Sequence, residues 1–221
     1  MAAAGYAWVV VDLEHSVISL REAEEMIRII RPSGVDPLVR LSHNDAVQIN
    51  RVMDAGAEGV IVPMVKTAAE IAAVVDAVRY PPHGTRFEEY RAWVAHDSVV
   101  IAQIEHSEDV RSLNAILRTQ DVAGFIVGPY DLSSSLGVPG EFKHPDMLAA
   151  LAEIRRVAAG DHVVPPKPKL VGQRIDGGYR FIAYSTDMIL ICEISVPAFR
   201  PYGPKVSMLF IAAVSSLPEQ P

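Results

Sequence analysis

The sequence has little to build a covalent or cationic framework from. One cysteine, Cys192, among 221 residues excludes an internal disulfide scaffold and any zinc site made of several thiolates; as a single residue it reads as a small buried hydrophobe. No cluster of lysine and arginine stands out, and 20 basic residues against 27 acidic ones leave a net charge of −7. That balance argues against a nucleic-acid-binding surface. No apolar run reaches membrane-spanning length, and the segment 208–214 is too short to do so. The opening Met-Ala-Ala-Ala-Gly has neither a charged start nor a long apolar stretch, so no secretory leader is expected. The expectation is a cytoplasmic protein with no membrane partner. Gly-x-Ser-x-Gly elbows, P-loops and Gly-x-Gly-x-x-Gly fingerprints are also missing.

Half of the residues are hydrophobic, enough for a large core and against disorder. At this length the chain makes one large α/β domain or two small ones. The stretch 8–15, Trp-Val-Val-Val-Asp-Leu-Glu-His, sets the pattern. Four apolar residues read as a strand buried on both faces, and two carboxylates and an imidazole follow at its C-terminal end. Further strands are expected at 37–41, 59–65, 99–105, 124–131, 162–164 and 181–184. Helices are expected between them: one capped by Ser19 with Glu22 and ended by Pro32-Ser33-Gly34, one from Asn44 or Asp45 to Gly56, and one opened by Thr67. Others are expected over 107–117, about 145–159 and 170–175, with a short one at 88–94. After Asp131 a Ser-, Gly- and Pro-rich loop is expected.

Strand–helix alternation with short connections means a mostly parallel sheet. Polar residues then gather at successive strand ends: Asp12, Glu14 and His15; Arg40; Gln103 and Glu105; Asp131. So many ends sharing one site favours a (β/α) barrel over an open, doubly wound sheet. The expected architecture is a TIM (β/α)8-type barrel over 1–187, lacking its first βα unit, with an irregular Pro-broken tail over 188–221.

His15 follows a buried strand beside two acids, which suits a general base. The other histidines singled out, His43, His83, His96, His106 and His144, read as exposed loop residues. Glu105 and Asp131 end apolar strands, where a carboxylate is costly unless protonated, paired or bound to a cation. Each is a ligand candidate for Mg²⁺ or Mn²⁺, or else caps the next helix or pairs with an arginine. Arg40 offers a two-pronged fork for a substrate carboxylate, or a salt bridge to a helix carboxylate. Gly128-Pro129 allows close backbone approach to an anion. Tyr130, Ser133 and Ser134 read as loop structure. Lys66, beside a helix start, reads as a solvated lysine before a Schiff-base former.

With these residues placed, the chain resembles the HpcH/HpaI family, the metal-dependent class II pyruvate aldolases. The resemblance runs over 6–187. It rests on Val-Asp-Leu-Glu-His (11–15), Leu-Val-Arg (38–40) and Met-Asp-Ala-Gly-Ala-Glu-Gly-Val-Ile-Val-Pro-Met-Val (53–65). Arg-Tyr-Pro-Pro-His-Gly-Thr-Arg (79–86), Gln-Ile-Glu (103–105), Val-Gly-Pro-Tyr-Asp-Leu-Ser (127–133) and Gly-Tyr-Arg-Phe-Ile-Ala-Tyr-Ser-Thr-Asp (178–187) add to it. The resemblance implies reversible cleavage of a 4-hydroxy-2-oxo acid to pyruvate and an aldehyde through a metal-bound enolate. It also implies His15 as base, Asp54 as the acid that raises its basicity, and Arg40 as stabiliser of the enolate. Glu105 and Asp131 would hold Mg²⁺ or Mn²⁺, or Co²⁺, with Gln103 and the backbone over Gly128, Pro129, Tyr130 and Asp131 touching substrate. Asp12 and Glu14 then support the base and its water from behind. A homo-oligomer is implied too, since the family exchanges its last helix between subunits.

Three departures are visible. The family begins with a further strand and helix; its glycine-containing loop after Arg86 is replaced here directly by Phe87; and the last helix is broken by Pro197, Pro201 and Pro204. They leave two other readings beside the aldolase: an acyl-CoA lyase of the citrate-lyase type, and a truncated, non-catalytic barrel that assembles with complete homologues.

Overall fold

In the computed structural model the described residues are 6–79, 98–158, 161–164, 171–172, 175–176 and 181–184. Among these residues seven strands form one parallel sheet in chain order: β1 (Trp8–Asp12), β2 (Asp36–Arg40), β3 (Gly59–Val62), β4 (Val99–Ile104), β5 (Gly124–Val127), β6 (Asp161–Val164) and β7 (Ile182–Tyr184). Between them run α1 (Leu20–Ile30), α2 (Ala46–Asp54), α3 (Ala68–Val78), α4 (Ser107–Leu117), α5 (Pro129–Ser135) and α6 (Pro145–Val157). All seven expected strands are present. The short helix expected at 88–94, the tail 188–221 with Cys192, and His83 and His96 lie outside the described residues. Of the helix expected over 170–175, residues 171–172 and 175–176 are helical. No helix among the described residues is long and apolar enough to cross a membrane.

The helices begin where local chemistry directs. Ser19 and Glu22 cap α1 reciprocally, and Thr67 and Glu70 do the same for α3, which satisfies backbone N–H groups that have no intrahelical partner. Two strands end well short of expectation, by three residues or more, and proline is involved in both. β3 stops at Val62 because Pro63 has no N–H for the ladder. Met64 then takes φ 56°, in the left-handed region that a residue with a Cβ enters at a cost of about 1–2 kcal/mol. β5 stops at Val127, and Pro129 opens α5 because its fixed φ and missing N–H suit the first helical position. Asp131 and Ser133 therefore sit on a helix rather than at a strand end and in a loop.

The sheet separates two apolar regions. One face packs under the helices, with Val39, Val60, Val62, Val100, Ala102, Phe125 and Val127 directed to α1–α6. On the other face Leu38, Ile61, Ile101 and Ile126 meet Trp8, Val10, Phe181 and Ala183. The Trp8 and Phe181 rings stack at 4.2 Å and 10°, so the first strand and the approach to the last come together and the sheet curls round this inner plug. Gly59 sits opposite Val99 on β4 with no room for a side chain: a Cβ there would overlap the Val99 carbonyl oxygen.

Candidate active site

The two-residue period of a strand turns the inner plug into a site at its C-terminal rim. Trp8 and Val10 of β1 are followed by Asp12, and Leu38 of β2 by Arg40. Ile101 of β4 is followed by Gln103 and Glu105, and Ile126 of β5 by Gly128. Each polar residue thus shares a face with the apolar residue two positions earlier. Four strand ends, spaced far apart in sequence, deliver their chemistry to one place.

Asp12 and Arg40 are register partners on adjacent parallel strands. The Arg40 guanidinium grips the Asp12 carboxylate with both prongs, Nε to Oδ1 at 2.8 Å and Nη2 to Oδ2 at 2.5 Å, and its Nη1 lies 3.4 Å from Glu14 Oε2. Arg40 is therefore paired with a carboxylate of the neighbouring strand, where the sequence had suggested a helix carboxylate or substrate. Burial works to raise the Asp12 carboxyl, but Arg40 and the backbone N–H groups of Glu14 and His15 outweigh it and hold it below the ordinary carboxylate value. Burial likewise opposes the charge on Arg40, and Asp12, Glu14 and Glu105 together hold its pKa above normal. A carboxyl depressed in the folded state stabilises the fold above its unfolded pKa and loses that contribution as pH falls through the folded value. Asp12→Asn is thus expected to cost about 1–2 kcal/mol at pH 7 and to flatten the loss of stability below about pH 4, measured by urea unfolding across pH.

Gln103 and Glu105 are buried. The Gln103 amide donates to Glu14 Oε2 at 3.0 Å and to Glu105 Oε2 at 2.5 Å. The backbone N–H of the left-handed Met64 donates to Glu105 Oε1 at 2.7 Å. Each Glu105 oxygen thus has a donor and keeps a lone pair directed elsewhere. Burial, with the nearby charges of Glu14 and Asp131, pushes the Glu105 carboxyl up despite these donors. Beyond it lies Gly128: a Cβ on that residue would stand 3.2 Å from Glu105 Cβ, 3.5 Å from Glu105 Oε2 and 3.7 Å from Asp131 Oδ2. The two carboxylates therefore face one small space that the missing side chain leaves open.

Two hard oxygen donors, with water or substrate completing the shell, suit Mg²⁺ or Mn²⁺ at about 2.0–2.2 Å. Among the described residues no group of three or more His, Cys, Asp or Glu is arranged to hold a metal; Glu105 and Asp131 are the two carboxylates that face this space. Gly128→Ala tests the cradle. The backbone there, at φ −89°, accepts alanine, and the one tight contact, 3.2 Å to Glu105 Cβ, is expected to lower the melting temperature by only a few degrees. The added methyl takes the space between the carboxylates, and Mn²⁺ affinity, followed by the electron paramagnetic resonance of free Mn²⁺, is expected to fall at least about tenfold.

His15 is an exposed residue at the rim. Its N–H donates to Asp12 Oδ1 at 3.3 Å, and its Nε2 lies 3.7 Å from Glu14 Oε2. Asp54 is not brought to it. α2 runs back from the rim, and Asp54, exposed, ends it; the backbone N–H of Glu58, four residues on, donates to the Pro37 carbonyl near the N-terminal end of β2. Tyr130 is exposed, with its ring edge-on to Phe142 at 4.9 Å, and its carbonyl accepts from Ser133 Oγ at 2.7 Å and Ser134 Oγ at 3.0 Å. The serines thus brace α5. Lys66 holds an ion pair with Glu108 at 3.2 Å. His106 and His144 cap α4 and α6 through Nδ1, and His43 lies 2.7 Å from Ser42 Oγ. The sequence reading missed two residues that act on Glu105: Met64, and the fully buried Asp109, whose Oδ2 accepts the N–H of Glu105 at 3.0 Å and of His106 at 2.9 Å.

The chain is similar to known proteins. Residues 1–193 match the family described as HpcH/HpaI aldolase/citrate lyase. A 2-dehydro-3,6-dideoxy-6-sulfogluconate aldolase of Pseudomonas putida is 35% identical over 205 residues, 85% of this chain and 80% of that protein. A hydroxypyruvate/pyruvate aldolase of Sagittula stellata is 33% identical over 208 residues, 86% of this chain and 82% of that protein. Among solved structures, an HpcH/HpaI aldolase from Desulfitobacterium hafniense superposes with TM-score 0.83 at 26% identity, covering 92% of this chain and 87% of that one.

Proposed function

Because the chain belongs to the HpcH/HpaI aldolase/citrate lyase family, we propose that it is a carbon–carbon lyase, a class II aldolase that cleaves 4-hydroxy-2-oxo acids to pyruvate and an aldehyde. The observation that carries this reading is the cradle of Glu105 and Asp131 across Gly128, close enough to Arg40 for Glu105 to act on its charge. The relatives at 33–35% identity are named aldolases, which favours this over an acyl-CoA lyase. The near-complete set of strand ends at the rim favours it over a non-catalytic barrel. We further propose that the curled sheet is part of a (β/α)8-type barrel.

Glu105 and Asp131 would hold a divalent cation, Mg²⁺ or Mn²⁺. What such an ion supplies when bound is Lewis acidity toward the keto and carboxylate oxygens of the substrate. Arg40, locked by Asp12, presents a fixed positive charge where negative charge develops on the keto oxygen as the C3–C4 bond breaks. Gln103, tied to Glu14 and Glu105, and the backbone at Gly128 to Asp131 shape the floor on which the pyruvate half rests. His15 takes the proton of the C4 hydroxyl, directly or through one water, so that the aldehyde can leave; C3 is then protonated to give pyruvate. Lys66 is ion-paired with Glu108, which disfavours a Schiff-base route. One chain sets Asp54 and His15 at opposite ends of the sheet. A contact between them therefore needs a second copy, in keeping with a homo-oligomer.

The test is pyruvate release from a 4-hydroxy-2-oxo acid, followed by coupled lactate dehydrogenase. Release that depends on Mg²⁺ or Mn²⁺ and stops with chelator supports the reading. Release that survives chelation and is trapped by borohydride would contradict it and point to a lysine.

A further inference from the structure

We infer that Asp109 is a positioning residue that aims Glu105 into the cradle; the inference rests on the reading of Glu105 as a cation ligand. Asp109 lies on the first turn of α4 and is 0% exposed. Its Oδ2 accepts two successive backbone N–H groups, those of Glu105 and His106. Its Oδ1 has no hydrogen-bond partner among the described residues.

Capping α4 does not account for this. The cap needs an acceptor for the His106 N–H only, and a neutral Ser, Asn or Gln would provide one without burying a carboxylate with an idle oxygen, which is costly. What Asp109 adds is the bond to the Glu105 N–H. The Glu105 carboxylate is already held by Met64 N–H on Oε1 and by Gln103 on Oε2. Those bonds fix the tip of the side chain, and Asp109 fixes the peptide from which it springs. With the peptide released, the Glu105 Cα can shift and carry the root of the side chain with it, so that the lone pairs facing Asp131 across Gly128 change direction even while the tip stays bonded. Partners that orient a metal ligand from behind typically matter about 10- to 100-fold in metal affinity.

The experiment compares Mn²⁺ binding to the full chain, by electron paramagnetic resonance, in wild type, Asp109→Asn, Asp109→Leu and Glu105→Gln, with melting temperatures alongside. Asp109→Asn keeps an acceptor for both N–H groups, and its dissociation constant is expected within about threefold of wild type. Asp109→Leu fills the buried site but accepts nothing, and its affinity is expected to fall about tenfold or more well below its melting temperature. Asp109→Ser, with one short acceptor, is expected to fall between, and takes the place of the leucine variant should that fail to fold. A purely structural role would lower the melting temperature and leave Mn²⁺ affinity of the folded protein alone. Wild-type affinity in Asp109→Leu, or in Asp109→Ser as its replacement, with binding lost in Glu105→Gln, overturns the inference and leaves the aldolase reading standing. Absence of Mn²⁺ binding in wild type overturns both.

Discussion

Glu105→Gln is expected to abolish turnover, lowering kcat by roughly a thousandfold or more, because a bound cation is worth several kcal/mol of charge stabilisation. The fold is expected to survive. Glu105 is buried, and glutamine removes a charge that burial, Glu14 and Asp131 all disfavour. Against that gain, its amide end cannot accept from both Met64 N–H and Gln103 Nε2 as the carboxylate does. The two effects oppose each other at about 1–2 kcal/mol each, so melting temperature should move by only a few degrees. Steady-state kinetics with saturating Mn²⁺, together with thermal unfolding, separate lost chemistry from lost structure. A variant that keeps a tenth of wild-type kcat would contradict the assigned role.

Arg40→Ala is expected to be damaging on both counts. Removing one fixed charge from the developing negative oxygen typically costs about 10²- to 10³-fold in kcat. It also strands Asp12, whose carboxylate is matched by both guanidinium prongs, and leaves Glu14 without its neighbouring cation. Both groups are only partly exposed, so a stability loss of about 2 kcal/mol is expected. Arg40→Lys should recover little activity, since an ammonium cannot span both Asp12 oxygens and still face Glu14. The checks are kcat and KM at fixed Mn²⁺ and the denaturation midpoint of each variant. Full activity in Arg40→Lys would show that charge alone suffices.

The sequence displays its strands plainly, because a parallel sheet covered on both faces needs unbroken β-branched runs, and residues 9–11, 60–62 and 99–101 are such runs. Helix starts were equally legible where a capping box is written out, as at Ser19 and Thr67. What stayed hidden depends on register and burial. The pairing of Asp12 with Arg40 follows from strands lying side by side in matched register, which neither segment states by itself. Asp131 looked like a strand end because the apolar run 124–127 flows into Gly-Pro, and only the structure shows Pro129 opening a helix. Asp109 escaped notice because the N-cap of its helix is His106, outside the usual Ser/Thr pattern of a capping box. Asp54 was named by resemblance alone. Its position at the far end of α2 shows why no pattern around His15 pointed to it.

In the proposed function this rim stabilises negative charge on the pyruvate half of the substrate, whatever aldehyde accompanies it. Exchange of the pyruvate methyl protons for deuterium, followed by proton NMR in ²H₂O, reads that step without an aldehyde partner. Wild type with Mg²⁺ (Mn²⁺ being too paramagnetic for the spectrum) is expected to exchange the methyl well above the uncatalysed rate, and to stop on chelation and in Glu105→Gln. Exchange at the uncatalysed rate in wild type with saturating metal, or equal exchange in wild type and Glu105→Gln, would contradict the account.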